Sequence, residues 1–232
     1  SKNNWPILYG LCLSSGGLGA IVATKPLYFI VDEIGWRSAF FILALLCFLI
    51  SLIILIVTPE NESTAEEQNI LFALKEIYSS KLFWRIAPLA GISGGTALAI
   101  QGLWAGEWLR DVARLTQNDA TNMLLILNIS LLIGMIITGF IPNILKRFKV
   151  SQIDIFLFIT LILLLGHSLL TFEIMPVSPI PWILLGISAN GAILAYSWLN
   201  TQFPISYAGK VSTALNLSLF LCGFILQYAI GW

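Results

Sequence analysis

Eight residues carry chemistry that is out of place in apolar surroundings: Lys25, Gln101, Trp104, Glu107, Asn128, Asn190, Tyr196 and Asn216. A charge deep in a membrane-spanning helix costs roughly 3 kcal/mol or more on insertion scales, and a buried amide must be hydrogen-bonded or wet. The chemistry such groups can do is binding. Amides and indoles hydrogen-bond a polar solute, and opposite charges pair. Each group also has a plainer reading. Amides bond neighbouring helices for about 0.6 kcal/mol each, and Lys25 can snorkel outward toward Asp32 and Glu33.

Gln101, Trp104 and Trp108 fall at i, i+3 and i+7, which predicts one shared helix face. With Asn128, Asn190, Tyr196 and Asn216 from other apolar runs they are the candidates for solute contact, and Gln227 lies in the last run. Lys25 lies on the order of 28 Å along its helix from Pro6, and Glu107 roughly 33 Å along its own from Arg85. Their heights agree, so an ion pair between them is expected. His167, the single histidine, could shuttle protons, but in a Leu-rich run a structural role bonded to a neighbour is the expectation.

The sequence has no HExxH and no paired acids inside an apolar run, and its one GxSxG string, Gly91-Ile92-Ser93-Gly94-Gly95, lies within an apolar run. Gly91–Gly95 lacks the Lys-Ser/Thr that completes a phosphate loop. The cysteines, Cys12, Cys47 and Cys222, have no metal-ligand spacing and read as small buried hydrophobes. No enzyme activity, cofactor or metal is therefore expected.

The elements that hold these residues are apolar runs: Ile7–Val31, Ser38–Val57, Ile86–Trp108, Met123–Leu145, Ile153–Phe172, Pro181–Asn200 and Val211–Trp232. A hydrocarbon core of about 30 Å needs roughly 20 helical residues, and each run suffices. Hydrophobic residues are 58% of the 232 and charged ones 10%, too few to wet a soluble domain. The expected fold is all-α, a polytopic membrane protein of about seven transmembrane helices. Equal acidic and basic counts, 12 each, give no electrostatic case for nucleic acid. With a cytoplasmic N-terminus, eight basic residues (Lys2, Lys75, Lys81, Arg85, Lys146, Arg147, Lys149, Lys210) face inward and three (Arg37, Arg110, Arg114) outward. The positive-inside rule favours that orientation.

Thr58–Lys81 is the one long polar stretch, and Ile70, Leu71, Leu74, Ile77 and Tyr78 within it predict a short amphipathic helix on the inner face. It divides the chain into 1–57, with two helices, a linker 58–84, and 85–232, with five. Pro26 should bend the first helix. Gly91/Gly95 and Gly102/Gly106 have the spacing that favours helix contact.

At these residues the chain resembles the major facilitator superfamily. Gly10 to Gly19 followed by Ala20–Pro26 is similar to the Gly-rich motif of the family's fifth helix, with Ala23-Thr24 replacing its Gly-Pro. Gly35-Trp36-Arg37-Ser38-Ala39-Phe40-Phe41 resembles the lead into the sixth helix. Gly102–Leu109 resembles the outer end of the seventh, where a Pro often stands in place of Glu107. Phe203-Pro204, Gly209-Lys210 and Ala214-Leu215-Asn216 resemble the loop into the eleventh. After the fourth run Gly139 is present, but Asn143 stands where an acid is usual, so no gating role carries over there.

The resemblance implies helices five to eleven of a twelve-helix fold. Residues 1–57 then close the N-terminal half-bundle and 85–232 open the C-terminal one. It implies a secondary transporter, moving a small organic solute or ion by alternating access in a lipid bilayer, as in a bacterial inner membrane. Lys25 and Glu107 would sit on opposite halves, so their ion pair would form only when the outer side closes, as a gate. A coupling proton or sodium ion fits this scheme, but no acid lies near a midplane. A coupling residue is thus expected outside this chain, which opens without Met and stops inside an apolar run. A seven-helix receptor or sensor is the alternative that the helix count allows.

Overall fold

The computed structural model describes residues 16, 18, 19, 21–57 and 70–232. Most of the first predicted run, Cys12, and the linker from 58 to 69 lie outside them. Among the described residues six helices are long and apolar enough to cross a membrane.

The first, α1 (Lys25–Val57), joins the end of one predicted run to the next. Helix interrupts just below it, in a turn at Ala23–Thr24. Pro26, with no N–H to give, stands two residues on, and Thr24 Oγ1 caps the Ile21 carbonyl at 2.6 Å. Between the two predicted runs the helix departs from helical geometry at a single residue, Gly35, at φ 79° and ψ 156°. Only glycine occupies that region without steric cost, so one residue divides α1 into two arms.

The predicted amphipathic helix is α2 (Ile70–Ser79). Ala73 and Ile77 are its buried face, while Ile70, Leu71 and Phe72 stay exposed. The third span runs from Lys81 to Asp111 in three pieces: α3 (Lys81–Ala99), a π-helical turn (Ile100–Trp104) and α4 (Ala105–Asp111). Then come α5 (Gln117–Leu145) and α6 (Gln152–Thr171), the latter started by a reciprocal cap between Ser151 and Asp154. The sixth predicted run is broken into α7 (Pro179–Ala189) and α8 (Ala192–Asn200) by a turn at Asn190–Gly191. The last span ends in α9 (Ala208–Ile230).

Two close crossings hold this bundle together. At α3 against α9, a Cβ on Gly95 would lie 2.6 Å from the Gly223 backbone nitrogen, and one on Gly91 would lie 3.0 Å from the Ser218 carbonyl. At α5 against α7, a Cβ on Gly186 would lie 2.6 Å from the Leu127 carbonyl, and one on Gly134 would fall on the Ile187 carbonyl. In lipid, helices gain nothing by hiding apolar surface from each other, so backbone approach of this kind is what packing rests on. The Gly91/Gly95 expectation holds. Gly102 and Gly106 are different, with nothing closer than 3.6 Å to an added Cβ.

On α6, Phe158, Leu161 and Leu164 are exposed. Cys47 and Cys222 are free, and Cys47 is exposed rather than buried.

Candidate functional site

The π turn decides where the third span's side chains point. Its i→i+5 bonding, seen in Ala105 N–H to the Ile100 carbonyl, changes the rotation per residue just where an even helix would align Gln101, Trp104 and Trp108. The predicted single face is therefore not formed. Gln101 turns to α5, where its Nε2 donates to Asn128 Oδ1 at 3.0 Å. Trp104 turns to α9, its Nε1 donating to the Gln227 carbonyl at 3.1 Å. Trp108 turns to α7, its ring centroid 5.6 Å from that of Trp182.

Asn128 is itself anchored, its Nδ2 donating to the Leu124 carbonyl at 2.8 Å. One turn further along α5, the Leu131 carbonyl accepts from Asn190 Nδ2 at 3.1 Å. Asn190 sits in the α7–α8 break, with φ −85° and ψ 6°. Gln101, Asn128 and Asn190 thus form one polar tract along α5, and two of the three come from points where a spanning helix is interrupted. Interruption frees backbone groups from the helix ladder and gives side chains a direction that a regular helix lacks.

Tyr196 and Asn216 are brought together, but elsewhere. Tyr196 Oη donates to Asn216 Oδ1 at 2.6 Å, between α8 and α9. Tyr196 lies six residues beyond Asn190, about 9 Å nearer the α2 end.

Lys25 and Glu107 do not meet. Lys25 Nζ donates to Asn122 Oδ1 at 2.9 Å, with the Phe29 ring 5.9 Å away on its own helix. Glu107 pairs with Arg110, one turn along α4. A permanently charged neighbour at i+3 outcompetes a lysine on another helix. The direction around the helix was not readable from spacing. His167 Nδ1–H donates to the Leu163 carbonyl at 2.8 Å, on its own helix rather than to a neighbour. It lines, with Trp104, Glu107, Trp108, Asp111 and Trp182, a cleft of about 400 Å³ to which α5 contributes nothing.

Asn122 as the partner of Lys25 was missed from sequence. The Asn-Gly pair at 190–191 carried a turn signal inside its apolar run. Nothing in the spacing marks the π turn.

Apolar spans joined by glycine crossings and hydrogen-bonded amides define a polytopic α-helical membrane protein. The chain belongs to the Major Facilitator Superfamily, whose family model matches residues 1–226. It is therefore a membrane transporter and not an enzyme. No curated protein matches it.

Proposed function

We propose that this protein is a secondary transporter that moves a small polar organic solute or ion by alternating access, with Gln101, Asn128 and Asn190 as its central solute contacts. The observation that carries this reading is the polar tract fed by two interrupted helices, the π turn before Trp104 and the break at Asn190–Gly191. Discontinuous spanning helices are where carriers place their binding groups. Trp104 borders the tract from the π turn, and the Tyr196–Asn216 pair forms a second polar level along the same route.

In this reading residues 1–57 and 85–232 belong to two half-bundles, joined by the segment 58–84. The amphipathic α2 ties that joint to the second half through Tyr207 Oη, which donates to Glu76 Oε2 at 2.9 Å. The N-terminus and α2 face the cytoplasm, supported by the excess of basic residues at that end. A bacterial inner membrane is the setting this orientation suits. A coupling proton or sodium ion would drive accumulation.

The test is uptake by proteoliposomes holding the full-length protein, offered a mixture of small organic solutes under a proton or a sodium gradient and read by mass spectrometry. At least one solute should accumulate. Replacing Gln101 and Asn128 together by Ala should cut its accumulation at least about tenfold, the loss of one to two partly buried hydrogen bonds. Binding and signalling without flux would instead point to a receptor.

A further inference from the structure

We infer that Lys25 and Asn122 form a breakable latch that closes the solute route at the end of the molecule carrying loop 112–116. The inference rests on the alternating-access reading above.

Position is the first argument. Asn122 is the sixth residue of α5, and Asn128 lies six residues deeper, about 9 Å along the helix. The Lys25–Asn122 bond therefore sits between the loop and the amide tract. It also crosses from α1 to the bundle. Among the described residues no other hydrogen bond or ion pair joins Lys25–Val57 to residues 70–232.

Mobility is the second. Lys25 follows directly on the interruption at Ala23–Thr24, and the other end of its arm is the glycine break at Gly35. The arm that carries the ammonium is thus jointed at both ends. Kinks of this kind, at Pro and Gly, are where helices bend, and such joints let a short element swing while its neighbours stay packed.

Chemistry is the third. An ammonium on a neutral amide oxygen makes a charge-assisted hydrogen bond without neutralising the charge. A carboxylate partner in a low-dielectric span would hold the closed state far more firmly. With an amide, opening exchanges Asn122 for water around the ammonium, and hydration offsets most of what is lost. Two states separated by a small free energy are what a carrier needs to populate both.

The experiment uses full-length protein in which Cys12, Cys47 and Cys222 are replaced by Ala and Gln101→Cys serves as reporter. A membrane-impermeant maleimide is applied to right-side-out and to inside-out vesicles. Lys25→Ala and Asn122→Ala should each raise the modification rate from the loop 112–116 side by about tenfold, as loss of one charge-assisted hydrogen bond implies. The double variant should add nothing further. Asn122→Asp should slow modification below the parent, and a Lys25→Cys/Asn122→Cys disulfide should stop it from that side. Where Lys25→Ala is poorly folded, Lys25→Met keeps the apolar stem and gives the same readout. Modification from both faces at rates indifferent to these changes, or raised equally on both faces, would overturn the latch alone. Modification from one face only in every variant would overturn alternating access and the latch with it.

Discussion

In the most apolar stretch of α1 no residue is buried inside the protein, whereas half of the matching stretch of α7–α8 is. Both are apolar enough to cross a bilayer, so hydropathy does not separate them. The difference lies in small residues placed at crossings. The α3/α9 and α5/α7 pairs meet backbone to backbone at Gly91, Gly95, Gly134, Gly186 and Gly223. In α1 the buried residue is Ala39, and α5 is its main partner. Among the described residues the helices from 81 to 230 pack closely on one another, and α1 meets them chiefly at α5.

The sharpest way to break the comparison is to put a methyl group into one crossing. Gly134→Ala would drive a Cβ onto the Ile187 carbonyl, and a backbone atom cannot step aside as a side chain can. We expect a loss of about 3 kcal/mol, the upper part of overpacking costs, seen as a clear fall in thermal unfolding temperature of the full-length protein in detergent. Gly139→Ala, five residues along the same helix, meets nothing within 4 Å and should leave unfolding unchanged or slightly later. Equal effects at the two positions would mean that close approach does not hold the bundle.

The next effect is at the hinge of α1. Gly35 lies at φ 79° and ψ 156°, and an alanine there is strained even though no atom stands within 4 Å of its Cβ. Gly35→Ala should cost about 2 kcal/mol from backbone conformation alone. Because α1 is sparsely packed, that cost should appear as disorder of the 25–57 arm, read by faster proteolysis, with the main unfolding transition little moved. A drop of the whole transition would show that α1 and the bundle unfold as one unit.

The same contrast marks what could be read from the amino acids. The five spans after the linker were legible because bilayer thickness imposes a length that composition must meet. The Gly91/Gly95 contact was legible because small residues four apart share a face. Interruptions were less so. Asn190-Gly191 held a turn signal that an apolar run concealed, and no residue type or spacing marks the π turn at Ile100–Trp104. Lys25 shows the limit most plainly. Its height along the helix followed from counting, yet its partner depends on the angle around that helix, which the chain does not state until α5 is packed beside it. Glu107 is paired instead with Arg110, three residues on along its own helix.

The smallest expected effect concerns the amide tract, where packing and transport make different demands on one hydrogen bond. Gln101 and Asn128 donate and accept at 3.0 Å within the packed body. If they serve packing only, a double-mutant cycle of Gln101→Ala and Asn128→Ala should give a coupling near 0.6 kcal/mol, the usual worth of such a bond between spanning helices. That value would then be the same with and without solute. If they bind solute, the solute's own polar groups replace the partner, and the coupling should fall toward zero at saturation. Measuring the cycle on unfolding temperature, with and without the solute that the uptake screen finds, separates the two. A coupling unmoved by saturating solute would assign this bond to the tight body and leave the route to run past it.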